Sequence, residues 1–367
     1  MIAVELREIT KTYGQSPVLQ DVNLTVDAGT FTVIYGPPAS GKSVLVRLLT
    51  GLEKPSGGQI LLRGVETGNV DPGDRNIGYV PQSFALYPHY RVQENIAYPL
   101  ALMKAPRSQI EQIVRQVAEQ LQISPLLKKL PDQLSGGEKQ RVALARGIVK
   151  HTEIYVLDDP LTGLDFKLRE QLFDDLKQMQ ESLGATFIYT TSDPLETLAL
   201  ADQVAILDGG RIVEAGPIER VYGEPQHVRT MELLGFPPSN RLTGNLHTRS
   251  GRLWCQTSLF EFPIHAPRSP ESLAELRNVE VIIRPQDIVL DVGEDGFLKC
   301  QAQIVLREDL GAEFIVYLDV DGTSLLTVVP HGKDHLIAED VLTIGVRPTT
   351  IVLFVPETGQ RIGQGAA

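Results

Sequence analysis

Two domains of different construction are predicted: an α/β layer domain over residues 1–235 and an all-β, barrel-like domain over residues 236–367. Three features carry that expectation. Up to about Leu234, short apolar runs alternate with segments of helical periodicity, the pattern of strands and helices stacked in layers. GFPPSN (Gly235–Asn240) then breaks the chain with turn residues. Beyond it the runs are short, often alternate apolar with polar, and are separated by turn signals.

FTVIYG (Phe31–Gly36) is a strand ending at glycine, and SVLVRLLTGL follows as a helix. RSQIEQIVRQVAEQLQI places Ile110, Ile113, Val114, Val117 and Leu121 at helical spacing, with Ser108 and Glu111 as the expected capping box. EIYVLDD is a buried strand rising to two acids, Asp158 and Asp159. LREQLFDDLKQMQESLG sets Leu168, Leu172, Leu176, Met179 and Leu183 on one face and stops at Gly184. ATFIYTTSD and QVAILDGG return to strand. In the second domain VEVIIRPQDIVL, FLKCQAQIVL, AEFIVYLDVDG, LLTVVP and VLTIGVRPTTIVLFV are strand runs. Phe314–Val316–Leu318–Val320 alternates as a half-buried strand does, and DVDG marks a hairpin turn. The closing GQRIGQGAA reads as a loose tail.

The chain has 367 residues, 42% of them apolar and 22% charged, enough for two domains with sizeable cores. A formal charge of -12 argues against nucleic acid as a partner and against direct binding to anionic lipid. Cys255 and Cys300 lack metal-ligand spacing and read as buried, reduced thiols. No stretch approaches the ~18 apolar residues of a membrane helix. MIAVELREITKTYG shows no signal-peptide pattern. A reducing, cytosolic location follows, with any membrane attachment supplied by a partner.

GPPASGKS runs through Gly36, Pro37, Pro38, Ala39, Ser40, Gly41, Lys42 and Ser43, between a strand and a helix, and fits G-x-x-x-x-G-K-S/T. Backbone N–H groups at such a helix start point at phosphate oxygens. Lys42 is placed to reach the β- and γ-phosphates and the Ser43 hydroxyl to ligate Mg²⁺, with the Asp158 carboxylate behind it. LSGGEKQR (Leu134–Arg141) is a second anion-recognition element. Gly136 and Gly137 let the backbone approach a ligand, while Ser135 and Glu138 cap the following helix. This helix start needs a phosphate-bearing surface that the P-loop of the same fold cannot supply.

With the P-loop and the strand ending at Asp158, LSGGEKQR resembles the signature of ABC-type ATPases, and the resemblance covers nearly the whole chain. It implies a P-loop ABC ATPase domain in which two subunits sandwich two ATP molecules, each held by one subunit's P-loop and the other's signature. By the same resemblance Tyr13 in KTYG is the aromatic that stacks on adenine. Gln82 in YVPQSFALYP touches Mg²⁺ and the attacking water. Leu161–Asp165 communicates across the dimer, and Ser83 to about Leu100 receives a permease. GFPPSNRLTG, VIIRPQDIVL, LGAEFIVYLDVDG and VRPTTIVLFVPETGQRI look like the OB-like (TOBE-type) accessory domain of sugar-importer ATPase subunits of the maltose-transporter type. The implied partners are membrane permease subunits at the cytoplasmic face of the cell membrane and, through them, a solute-binding protein.

Four positions depart from that family's pattern. Asp159 stands where a catalytic glutamate is expected, and Ser192 replaces the switch histidine in TTSD, with no histidine between His151 and His227. Ala39 occupies a glycine position, and Val44 stands where a threonine hydroxyl meets the α-phosphate. The shorter Asp159 carboxylate falls roughly an ångström short of the water, a displacement worth on the order of 10²-fold in rate. Binding survives these changes and hydrolysis suffers. All four lie in the half-site formed by this chain's own P-loop, whereas the signature that serves the partner's ATP is intact. The expectation is an importer subunit that drives uptake of a carbohydrate or similar polar solute, paired asymmetrically with a second ATPase subunit. The alternatives are a slow homodimeric ATPase and a largely non-hydrolytic, nucleotide-gated regulatory subunit.

Overall fold

A computed structural model describes residues 1–162, 166–266, 276, 278–293, 295–337 and 340–366. It divides into two compact units, Met1–Val221 and Tyr222–Ala367.

In the first unit β1 (Ile2–Tyr13), β2 (Ser16–Asp27) and β3 (Phe31–Tyr35) are followed by α1 (Lys42–Thr50), β4 (Gly57–Leu62), β5 (Val65–Glu66) and β6 (Ile77–Val80). Next come α2 (Val92–Leu102), α3 (Arg107–Gln120), α4 (Gly136–Ile148), β7 (Ile154–Asp158), α5 (Phe166–Leu183), β8 (Thr186–Thr191), α6 (Pro194–Leu200), β9 (Gln203–Asp208) and β10 (Arg211–Pro217). An antiparallel sheet has the order β2-β1-β4-β5, and a mostly parallel one the order β10-β9-β3-β8-β7-β6. β3, β7 and β8 are buried along their whole length, as strands covered on both faces must be. Leu6 and Ile9 of β1, Leu45 and Leu48 of α1, and Val156 and Ile188 of the parallel sheet share one core.

The register places the functional loops. β3 pairs with β8 through Tyr35 and Thr191, and β7 pairs with β8 through Asp158 and Thr190. The carboxyl ends of β3, β7 and β8 therefore lie side by side. The glycine-rich loop, the two acids and Ser192 all leave the sheet at that edge, where open α/β sheets bind ligands. The expected Ser108–Glu111 capping box is absent. α3 starts at Arg107 after Pro106, so Ser108 falls inside the first turn and no side chain caps the helix. Gly184, with φ 58, ends α5 as expected.

In the second unit α7 (Ile218–Gly223, beginning in the first) and α8 (Val228–Leu233) precede β11 (Asn240–Arg249), β12 (Arg252–Gln256), β13 (Glu261–His265), β14 (Asn278–Ile283) and β15 (Ile288–Leu290). β16 (Leu298–Asp309), β17 (Glu313–Val320), β18 (Thr323–Pro330), β19 (Val341–Val346), β20 (Val352–Phe354) and β21 (Arg361–Gly365) complete it. β11-β12-β13-β21-β20-β14 close a barrel, and β15-β19-β16-β17-β18 form a second sheet. α8 packs Val228 and Met231 on Ile282, Val352 and Phe354, so the unit begins ahead of the composition change at Gly235. DVDG is the β17–β18 turn, with Asp321 and Gly322 both at positive φ, as a two-residue hairpin requires.

Over its described residues, 359–366, the tail is ordered, contrary to the expectation. Its glycines are close-approach positions: a Cβ on Gly363 would meet the His265 carbonyl, and one on Gly365 the Pro348 carbonyl. With Ile362 buried just ahead of them, β21 closes the barrel.

Candidate functional site

The loop from Gly36 to Ser43 is shaped by contacts that exclude side chains. A Cβ on Gly36 would run into the Leu207 carbonyl, and one on Gly41 would lie 2.7 Å from Leu19 Cδ2. Gly41 also sits at φ 107, a backbone region that glycine alone enters freely. Ala39, at φ 64, adopts a left-handed conformation without that freedom. Pro37 accepts a hydrogen bond from the Ser40 N–H at 3.2 Å, and Pro38 and Ala39 face solvent. The Ser40 hydroxyl is buried and has no hydrogen-bond partner among the described residues, an orphan suited to a polar ligand in the loop.

Lys42 opens α1 and is nearly buried. Its ammonium donates to the carbonyls of Gly36 at 2.6 Å and Pro37 at 3.0 Å. Burial lowers its pKa, opposed by the charges of Asp159 and Asp158. The Ser43 hydroxyl donates to Asp158 Oδ1 at 3.1 Å, so these two expected metal-side groups meet. Burial raises the Asp158 pKa, against the hydroxyls of Thr190 and Ser43, which pull it down. Val44 turns its methyl groups to the apolar core around α1.

Asp159 follows with φ 46, and its carboxylate accepts a 3.3 Å hydrogen bond from Gln82 Nε2. The structure thus brings Gln82 and Asp159 together across 77 residues of sequence. Ser192 is exposed just beyond β8, between Thr191, whose hydroxyl donates to Glu196, and Asp193, which caps α6. Tyr13 ends β1 at a hairpin and is 44% exposed. Its hydroxyl donates to Glu53, and Lys11 lies 5.0 Å from its ring centroid. Ser135 caps α4 as expected: its hydroxyl accepts from the Glu138 N–H at 3.2 Å, and the Glu138 carboxylate accepts from the Ser135 N–H at 2.7 Å. Gly136 is open to solvent and Gly137 half-buried at this helix start. Of the loop Leu161–Asp165, residues 163–165 lie outside the described residues.

Sequence reading missed two groups. Glu53 joins Tyr13, Arg47 at 2.6 Å and Lys11 at 3.2 Å. Those partners hold its carboxyl down at about 2, the Tyr13 hydrogen bond foremost. No spacing code marks a carboxylate reached from three directions. Thr190 is the second: buried in β8, it touches both acids of the site.

The Glu53 shift has a testable sign. A depressed folded-state pKa adds stability that is present above the unfolded value of 4.5 and lost as pH falls toward 2. Thermal melting of Glu53→Gln should show a lower melting point than wild type at pH 7, the two converging near pH 2. A difference that stays constant across that window would refute the assignment.

A family model for ABC transporters matches residues 19–162, and one for the TOBE domain matches residues 281–354. The chain is 35% identical over 364 residues to an sn-glycerol-3-phosphate import ATP-binding protein of Rhizobium etli, covering 98% of this chain and 99% of that protein. It is 38% identical over 341 residues to a trehalose/maltose import ATP-binding protein of Thermococcus litoralis, covering 89% and 90%. Among solved structures, an ATP-binding cassette in a dimeric, post-hydrolysis state bound to ADP and Pi matches 59% of this chain and 98% of its own, at a TM-score of 0.55 and 29% identity. On full-length similarity of this order, and on a P-loop, a paired acid and a capped signature helix in the expected places, the chain belongs to the ABC transporter family, as an import-type ATP-binding protein with a TOBE domain.

Proposed function

We propose that this subunit couples ATP to the uptake of a carbohydrate or a related polar solute such as a polyol phosphate, and that its own P-loop half-site binds ATP well but splits it slowly. The relatives are named for import of glycerol phosphate and of trehalose and maltose, which supports the solute class. Among the described residues no helix is long and apolar enough to cross a membrane. In keeping with the import relatives, permease subunits hold the chain at the cytoplasmic face and deliver the solute from a binding protein. Tyr87 and Tyr90, each 40% exposed and stacked with Tyr98, offer them an aromatic surface directly after Gln82.

ATP lies with its phosphates on the Gly36–Ser43 backbone and Lys42, its adenine on Tyr13, and its outer face on the Ser135–Glu138 helix start of a neighbouring subunit. Ser43, Asp158 and Gln82 are the groups that would hold a magnesium ion. One carboxylate and two neutral oxygens suit Mg²⁺, which is commonly held by one or two carboxylates together with substrate phosphates. When bound it neutralises the charge that builds on those phosphates.

Asp159 carries the reading of slow hydrolysis. It is the acid just past the end of β7, tethered to Gln82, and one methylene shorter than glutamate. Ser192 supplies no imidazole opposite it. With both groups weakened and the signature whole, a mate with glutamate and histidine at these positions gives the pair one competent site. Equilibrium ATP binding and turnover of the chain alone, then mixed with such a subunit, test this. Tight binding with turnover ~10²-fold lower alone than in the mixture is expected. Rapid turnover alone would leave a homodimer, single-turnover silence in both settings a regulatory subunit, and absence of ATP binding would end the reading.

A further inference from the structure

We infer that the Thr190 hydroxyl is a positioning group that locks Asp158 and Asp159 in one fixed relation, making the two acids a single unit built from the neighbouring strand. The inference rests on the ATP-site reading above and adds to it a residue to which the sequence motifs assign no role.

Thr190 is fully buried at the register position opposite Asp158. β8 runs between β3, which delivers the P-loop, and β7, which delivers the acids. Its Oγ1 donates to Asp158 Oδ1 at 2.8 Å and accepts from the backbone N–H of Asp159 at 3.0 Å. One hydroxyl thus holds the side chain of the first acid and the main chain of the second. The Asp159 N–H is shared with the Thr190 carbonyl at 3.1 Å, so both polar groups of Thr190 converge on that amide. The place where they converge is unusual, because Asp159 is held at φ 46 without being glycine. A left-handed residue persists only where its surroundings over-determine it, and here the determinant is Thr190.

The consequence concerns direction. The Cα–Cβ bond of Asp159 follows its backbone, so the hydroxyl that fixes the amide also fixes where the short carboxylate points. Asp158 is fixed at the same time, because Ser43 and Thr190 both donate to Oδ1. A buried hydroxyl with a donor and an acceptor role can do this, whereas the isosteric valine can do neither.

Three variants of the full chain test the inference: Thr190→Val and Thr190→Ala, which delete the hydroxyl, and Thr190→Ser, which keeps it. Amide exchange at Asp159 should quicken in Val and Ala and stay unchanged in Ser, a readout independent of ATP cleavage. Equilibrium binding of ATP without metal should remain within about 3-fold of wild type. Introduced together with Asp159→Glu and Ser192→His, Val should shrink that pair's ~10²-fold gain in single-turnover rate to under about 10-fold, with Ser preserving it. Unchanged Asp159 exchange in both hydroxyl-free variants, or Ser behaving like Val, overturns the positioning role. Loss of ATP binding in the wild-type chain would instead strike the underlying site assignment, and leaves the exchange test standing.

Discussion

Asp159→Glu combined with Ser192→His should raise the single-turnover rate of ATP hydrolysis by about 10²-fold, equivalent to about 2.7 kcal/mol of barrier. The added methylene extends the carboxylate toward the phosphates by the distance that aspartate lacks. The imidazole restores a group able to contact the γ-phosphate and the water. Both act on one water, so the double variant should exceed either single variant without reaching the product of the two. The gain carries a stability cost. Asp159 sits at φ 46, where aspartate is better tolerated than longer side chains. Its Oδ2 also accepts from Gln82 at 3.3 Å, a contact the longer residue must remake. The double variant should therefore melt slightly below wild type while turning over faster. If the rate moves less than about 3-fold with ATP affinity unchanged, positions 159 and 192 do not limit hydrolysis, and the proposal of an impaired half-site fails.

What the sequence discloses and what it conceals divide along range and conformation. The P-loop and the Ser135–Glu138 capping box are written in residues a few positions apart, and their physics is local: a helix start, a reciprocal pair of hydrogen bonds. The family resemblance assigns Gln82 and Asp159 separate roles, and their hydrogen bond is seen only in the fold. Thr190 could not be read this way. It lies 32 residues from Asp158 and means something only once β7 and β8 are in register. Glu53 is likewise 40 residues from Tyr13, and its role comes from three basic or hydroxyl partners, two on β1 and one on α1. Conformation hides in the same way. Sequence shows only that Ala39 occupies a glycine position; its φ of 64 shows a left-handed residue, at a cost of about 1 kcal/mol relative to glycine. In the tail, Gly363 and Gly365 are the residues that let β21 approach its neighbours closely enough to complete the barrel.

Lys42→Ala should weaken ATP binding by about 10²-fold and leave the fold largely in place. The ammonium is the one full positive charge among the groups of the loop itself, Gly36 to Ser43. A hydrogen bond between charged partners contributes about 1.5–3 kcal/mol, and the upper half of that range corresponds to the stated loss. Two features argue that the lysine is held for this purpose. It is 8% exposed, a position where its charge is costly, and burial does lower its pKa. Against that cost stand the carbonyls of Gly36 and Pro37, which accept from the ammonium, and the nearby charges of Asp159 and Asp158, which favour its charged form. Removing the side chain leaves the Gly36 carbonyl without this donor, a local penalty of about 1–3 kcal/mol that should appear as a lower melting point. Comparing melting with equilibrium ATP binding separates the two effects. Lys42→Arg is the informative control: it keeps the charge, but the planar fork does not fit a slot shaped for a single ammonium, so affinity should fall there too. If Lys42→Ala melts lower yet binds ATP within about 3-fold of wild type, the lysine serves only to staple its own loop, and the phosphates lie elsewhere.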